Sequence, residues 1–325
     1  MIWILALFAT LAVTVAISFL VEALRPRPKP PLSLSWAPSI PIDYVEVKGV
    51  RLRYVVAGSG PVLVFLHTLR TQLDMFQKVL SVLSARFRVY ALDYPGHGYS
   101  DIPDTTYSAE YFVTTVAHAL DCLDIRDATL VGESIGGSIA LLLAARHNPR
   151  VQRVIAINPY DYDRGRGIRR SSALANVLFG VNNVPVLGAT VNRLRLYPIV
   201  KQVFKGGLFR KDTLPPALAR EMYRAGNRRG HYKAFMSLVR HWASWDEARV
   251  EYPNIDRPTL LVYGEYDWSS DDERSANAAA IPGAKLRVVK RAGHFLSLDA
   301  PGDLLGAIRT WVPVRPQGEA TKVTD

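Results

Sequence analysis

Gly132-Glu133-Ser134-Ile135-Gly136 decides the reading of this chain. The five residues follow an apolar run, Ala128-Thr129-Leu130-Val131, and open a stretch of small and apolar residues over 137–145. The pattern predicts a strand, a sharp turn and a helix, with a serine at the apex. Glycine two places before and two places after the serine removes the Cβ atoms that would collide in so tight a turn. Held this way, the Ser134 hydroxyl is presented for reaction. The Ile135 N–H, at the start of the helix, points to where an oxyanion would form.

A serine hydroxyl becomes a useful nucleophile only when a base takes its proton and an acid orients that base. Downstream of Ser134, His294 lies in Arg291-Ala292-Gly293-His294-Phe295, just after the β-like run over 285–290. A glycine-flanked loop after a late strand suits a general base. The acid is expected at the end of the preceding strand, where Thr259-Leu260-Leu261-Val262-Tyr263-Gly264 runs into Glu265-Tyr266-Asp267. Asp267 is the preferred acid. Glu265 is nearer the strand, while Asp271 and Asp272 read as a helix start. An acid after the strand over 153–157 would have to be Asp161 or Asp163, because that strand ends at the uncharged Asn158. A second oxyanion donor is expected after the buried strand over 62–66, in His67-Thr68-Leu69-Arg70. The N–H of Leu69 is preferred over that of Thr68. Thr68 is β-branched and disfavours positive φ, so the turn is expected to take its own path. Thr68, Arg70 and Glu133 are weaker candidates for substrate contact, and His67 reads as structural. In Asp93-Tyr94-Pro95-Gly96-His97-Gly98-Tyr99-Ser100, the residues Asp93, His97 and Ser100 are expected to hold a tight loop by local hydrogen bonds.

These motifs, His67 at the oxyanion turn, residues 93–100, the Ser134 turn, then Asp267 with His294, follow one another in the order of an α/β-hydrolase, which the chain resembles over residues 43–313. The resemblance implies an α/β fold with an eight-stranded, mostly parallel sheet, helices on both faces and a helical lid. It also implies a Ser134–His294–Asp267 triad. Epoxide hydrolases and haloalkane dehalogenases of this fold need an aspartate as nucleophile, and position 134 is serine.

The chain of 325 residues, 49% hydrophobic, is long enough for one such domain with an insertion. Its ends differ from its middle. Residues 2–21 carry no charge, about 30 Å of helix at roughly 1.5 Å per residue, which matches a bilayer core. No basic residue precedes this run and no small-residue cleavage site follows it, so residues 1–24 are expected as an uncleaved anchor. Basic residues on its C-terminal side place the catalytic domain in the cytoplasm by the positive-inside rule. Residues 25–42 read as a basic, proline-rich spacer, 43–160 and 252–313 as the two parts of the core, and 314–325 as a disordered tail. The net charge is +11, and between residues 161 and 251, the expected lid, 17 Lys and Arg stand against 7 Asp and Glu. Helices are expected there over 172–179, 191–203, 216–225 and 234–245. The basic excess suits either a solvated lid or contact with anionic lipid head groups. No nucleic-acid reader motif, metal-ligand cluster or phosphate-binding glycine loop is present, so neither cofactor nor metal is expected. The lone cysteine, Cys122, excludes an internal disulfide and reads as a core thiol. The sequence carries no signal of oligomeric state.

Together these features lead to an expectation of a membrane-anchored serine hydrolase acting on a lipophilic carboxylic ester, similar to membrane-bound monoacylglycerol lipases. Two alternatives stand beside it. One is hydrolysis of a C–C bond in a β-diketone-like compound, with Arg70 gripping a substrate carboxylate. The other is a non-catalytic accessory or binding protein of a membrane-bound pathway.

Overall fold

The computed structural model of the protein describes residues 1–313, so the expected tail over 314–325 lies outside the described residues. Nine strands build one sheet: β1 (Ser33–Leu34), β2 (Ala37–Val47), β3 (Val50–Ala57), β4 (Val62–Leu66), β5 (Arg88–Leu92), β6 (Ala128–Glu133), β7 (Val151–Ile157), β8 (Thr259–Gly264) and β9 (Lys285–Val289). Their order is β1-β2-β3-β5-β4-β6-β7-β8-β9. From β5 across to β9 every pairing is parallel, while β3 runs against both β2 and β5. The expected eight strands are β2 to β9, and β1 adds a two-residue antiparallel edge. The fold is thus the α/β-hydrolase architecture.

β4, β6 and β8 are apolar and buried on both sides, which a sheet tolerates only when helices cover both faces. The helices Ala109–Cys122 and Ile135–Ala145 pack into one core, and Leu80–Leu83 and Pro301–Trp311 into the other. Cys122 ends its helix and is exposed, so it is no core thiol: a residue in a last turn escapes the buried stripe of its helix.

Between β7 and β8 lie the lid helices Ala173–Val181, Leu187–Leu194, Tyr197–Lys205, Pro216–Gly226, His231–Arg240 and Ala243–Glu247. The single helix expected over 191–203 is two. Leu196 is extended at the start of the second helix, and Pro198 fills a first-turn position, where its missing N–H costs nothing.

The N-terminal helix, Ile2–Ala23, is 22 residues long and almost wholly exposed until its last turns. There it docks on the lid. Ser18 accepts a hydrogen bond from Arg193 Nε (2.9 Å), whose guanidinium lies 3.8 Å over the Phe19 ring. The Glu22 carboxylate, buried, binds Arg195 Nη1 at 2.8 Å and accepts the Gly230 N–H at 2.7 Å. Arg25 donates to Asn227 and to the carbonyls of Arg193 and Leu194. The proline-rich spacer is therefore not a free strut. Arg25 is tied to the lid, Arg224 donates to the Lys29 carbonyl, and β1 and β2 draw residues 33–34 and 37–47 into the sheet. Pro38 and Pro41 are tolerated because they sit at the sheet margin, where a backbone donor is dispensable.

Candidate active site

The Ser134 turn follows from its neighbours' lack of side chains. A Cβ on Gly132 would lie 2.0 Å from the Gly136 carbonyl oxygen, and one on Gly136 would lie 2.1 Å from the Leu66 carbonyl oxygen. The two glycines let β6, the following helix and the end of β4 close on one another. Ser134 itself adopts φ 60°, ψ −122°, a strained conformation for a residue with a side chain.

His294 reaches this serine from 160 positions further along the chain, with Nε2 2.9 Å from Ser134 Oγ. Its Nδ1 is 2.5 Å from Asp267 Oδ1. The other oxygen of Asp267 accepts the Ser269 N–H at 3.0 Å and the Ser269 hydroxyl. Burial works to raise the Asp267 pKa, but the charge and hydrogen bond of His294 and the bonds from Ser269 outweigh it and hold the carboxyl below its usual value. An ionised acid facing Nδ1 fixes Nδ1–H, leaving Nε2 free to accept the serine proton. Trp268 stacks on the imidazole, with centroids 3.7 Å apart and planes at 10°. Of the other acids, Glu265 pairs with Lys290, Asp161 accepts from Tyr252 and Asn277, and Asp271 and Asp272 fill the first turn of the Asp271–Ala280 helix behind its Ser270 cap.

Ile135 begins the Ile135–Ala145 helix, so its N–H lies outside the helical ladder. The N–H of Leu69 donates to no group among the described residues. The Thr68 carbonyl accepts from His67 Nδ1 (2.7 Å) and from the Thr71 hydroxyl (2.9 Å), which fixes the loop from inside. The left-handed residue of this turn is Arg70, at φ 56°, and not Thr68. Burial lowers the His67 pKa to about 4 and the His97 pKa to about 3, so both are neutral near pH 7.

Residues 61–301 match the family described as alpha/beta hydrolase fold, well over half of the chain. The chain belongs to this family. Relatives of this hydrolase include an uncharacterized protein of Mycobacterium tuberculosis (strain ATCC 25618 / H37Rv), 25% identical over 86% of this chain and 83% of its own length. Another is a 2-hydroxymuconate semialdehyde hydrolase of Pseudomonas sp. (strain CF600), 26% identical over 77% of this chain and 86% of its own. Among solved structures, a membrane phospholipase A superposes with a TM-score of 0.70 at 21% identity, covering 95% of each chain.

Glu133 departs from its expected role in this hydrolase. Its carboxylate is fully buried and faces Ser297, accepting the N–H at 2.9 Å and the hydroxyl at 2.7 Å. It is a brace between the serine turn and the Leu296–Asp299 helix that follows His294, not a substrate contact. Burial raises its pKa to about 7, against the lowering effect of the Ser297 bonds. Asn158, at the end of β7, is a second brace that sequence reasoning passed over because it carries no charge. Its amide donates to the carbonyls of Gly293 (3.1 Å) and His294 (2.8 Å) and accepts the Gly264 N–H (2.8 Å), tying the histidine loop to β8. A third is Arg53 on β3, fully buried between Asp93 (2.6 Å) and Asp74 (2.7 Å). Asp93 also accepts the N–H groups of Leu73 and Tyr99, so the loops after β4 and β5 are held by one guanidinium as well as by local bonds.

Arg70 lines a cavity of about 270 Å³ under the lid, with Phe179, Leu194, Leu196, Val203 and Phe235 among its walls. Ser134 and His294 are inaccessible to solvent, so the site as it stands is closed.

Proposed function

We propose that this hydrolase cleaves carboxylic esters with a lipophilic acyl part, such as a monoacylglycerol or a lysophospholipid, by a serine acyl-enzyme mechanism. The observation that carries the reading is the continuous hydrogen-bonded line from Ser134 Oγ through His294 to Asp267. His294 Nε2 takes the hydroxyl proton as Ser134 Oγ attacks the ester carbonyl carbon. The N–H groups of Ile135 and Leu69 hold the oxyanion. Collapse expels the alcohol, which takes the proton from His294. Water, deprotonated by the same imidazole, then attacks the acyl-serine and releases the acid. Asp267 keeps Nδ1 protonated and stabilises the imidazolium. The Ile2–Ala23 helix, about 33 Å long at ~1.5 Å per residue, serves as a membrane anchor that holds the domain at a cytoplasmic bilayer surface. The apolar walls of the lid cavity suit an acyl chain. The likeness to a membrane phospholipase A carries the fold only, so the ester reading stands on the triad, the cavity and the N-terminal helix.

The test is labelling of the full-length protein by a fluorophosphonate probe, with turnover of p-nitrophenyl esters of graded chain length. Wild type labels and hydrolyses. Ser134→Ala does not label and loses several powers of ten in turnover at an unchanged melting temperature. Absence of labelling in folded wild type, or equal labelling of the variant, would favour a non-catalytic binding protein. A second reading is supported by the relative named 2-hydroxymuconate semialdehyde hydrolase: the same triad adding water across a C–C bond beside a ketone. Turnover of a β-diketone-like acid exceeding that of every ester would favour it.

A further inference from the structure

Among the described residues, Arg70 is the one guanidinium on the wall of the lid cavity that is left without an anion. Within that part of the chain it donates no hydrogen bond and forms no ion pair, and its guanidinium carbon lies 4.6 Å from the centre of the Phe235 ring. Arg195, on the same wall, is already committed to Glu22 at 2.8 Å. The surroundings of Arg70 are strongly apolar, and the charges that reach it are mainly of its own sign. Burial, then the charge of Arg195, push its pKa down to about 9, so it remains cationic at neutral pH. Arg70 is half-buried, so its guanidinium is open to the cavity, and an anion entering there would supply the counter-charge that the apolar wall lacks.

The geometry points to a ligand class: the cavity takes a single-chain amphiphile that carries an anionic group, and Arg70 binds that group. This deepens the ester-hydrolase reading, and rests on it for turnover, by requiring an acid in the substrate: a neutral acylglycerol would leave Arg70 unpaired. The aliphatic and aromatic walls, Leu178, Val191, Leu194, Val200, Val203 and Phe204, accept the chain, and Leu196 and Ile199 are both cavity wall and outer surface, so the chain enters between them. A carboxylate and a phosphate monoester share the chemistry, each accepting two N–H bonds from one guanidinium.

The full-length Ser134→Ala protein, in phosphatidylcholine nanodiscs, is titrated calorimetrically with octanoate, octyl phosphate and octan-1-ol against empty discs. A charge-assisted bond of this kind shifts affinity by roughly ten- to hundredfold. At least one acid is therefore expected to bind about tenfold or more tightly than octan-1-ol. Which acid does so distinguishes a carboxylate from a phosphate ligand. Adding Arg70→Met, or Arg70→Gln should the first variant fail to fold, abolishes that preference. Without any further variant, modification of Arg70 by phenylglyoxal, read by peptide mass spectrometry, is blocked by the preferred acid and not by the alcohol. Equal binding of acids and alcohol, a preference that survives substitution at position 70, or unprotected Arg70 would overturn the assignment. An acid preference in a protein whose Ser134 never labels would keep the binding site and discard the ester hydrolase.

Discussion

Replacing Glu133 by glutamine should stabilise the protein above neutral pH. The side chain is fully buried against Ser297, and its pKa stands at about 7 in place of 4.5. In the unfolded chain the carboxyl ionises near its ordinary value, so between these two pKa values the folded state holds a proton that the unfolded state has released. Stability therefore falls as pH rises through this window and is lower by a constant amount above it. The difference of ~2.5 units at ~1.36 kcal/mol each sets that penalty at about 3 kcal/mol at pH 8, about 1 kcal/mol at pH 5 and close to zero below pH 4. Glu133→Gln keeps the brace: the new side-chain carbonyl accepts the Ser297 N–H, the new amide donates to the Ser297 hydroxyl, and no charge is buried. With ~2 °C per kcal/mol for a domain of this size, the variant should melt roughly 5 °C above wild type at pH 8, with the gap closing towards pH 4. Scanning calorimetry of both full-length proteins in one non-ionic detergent, at half-unit steps from pH 4 to 8, measures it. A variant that melts lower than wild type at pH 8, or two proteins with parallel pH profiles, would refute the reasoning. Glu133→Ala is the contrasting case: it orphans a buried N–H and a buried hydroxyl, at about 1–3 kcal/mol each, and should melt lower than wild type near pH 4, the deficit shrinking towards pH 8 as loss of the ionisation penalty offsets it.

Glu22→Ala leaves Arg195 buried without its partner and should destabilise the docked lid by about 3–5 kcal/mol, seen as faster limited proteolysis within residues 187–230 while the core stays resistant. Deleting residues 1–24 removes Glu22 together with Ser18. The truncated protein should leave the carbonate-resistant membrane fraction and also melt several degrees lower, whereas a soluble truncation of undiminished melting temperature would show that the anchor–lid contact carries no energy. Arg53→Met strands the Asp93 and Asp74 carboxylates and should cost about 3–5 kcal/mol near neutral pH. Burial tends to raise the Asp93 pKa but Arg53 holds it below its ordinary value, so in wild type this contribution is present above the unfolded carboxyl pKa and is lost as pH falls through the folded one. The destabilisation measured by urea titration should therefore shrink in acid, and a deficit independent of pH would count against the ion-pair account.

The sequence was legible where chemistry is written in local spacing. The glycines around Ser134 stand two residues to either side of it because backbone atoms occupy the places of their Cβ atoms, and that constraint can be read from five letters. Asp267 and His294 follow the ends of β8 and β9, and the strand pattern brings them to the same edge of the sheet as Ser134. What escaped is held by partners far apart in the chain. Glu22 and Arg195 are separated by 173 positions, and Asn158 and His294 by 136, so neither pair leaves any periodicity. Glu133 was misplaced for a related reason: its neighbour in sequence is the serine, but its neighbour in space is Ser297. The basic excess of the lid was visible as a sum, yet Arg193 and Arg195 are buried against the N-terminal helix, which no count of charges reveals.

The same long-range contacts fix what must move for substrate to enter. On one side of the Tyr197–Lys205 helix, Arg193 and Arg195 bind the last turns of the N-terminal helix. On the other side, the Gly207 carbonyl accepts the Phe295 N–H at 2.8 Å, the Phe209 N–H bonds Asp299 at 2.6 Å, and the Gly206 carbonyl accepts Trp268 Nε1 at 3.3 Å. Gly207 leaves room there for the Phe295 ring, since a Cβ would lie 2.6 Å from it and would push it aside. One end of this nine-residue helix is thus fastened to the N-terminal helix and the other to the loop that carries His294. Between the two ties the helix supplies Ile199, Val200, Val203 and Phe204 to the cavity and turns Ile199 outward as well, with Leu196 at its start. It holds itself by its own backbone ladder and by apolar contact, the interactions most easily exchanged for contact with an apolar ligand. Opening along this helix exposes apolar surface and breaks none of the buried ion pairs, whereas opening at either tie would strand Glu22 or Asp299. The energetics therefore favour entry through the wall formed by Tyr197–Lys205, with the N-terminal helix holding the rest of the lid in place.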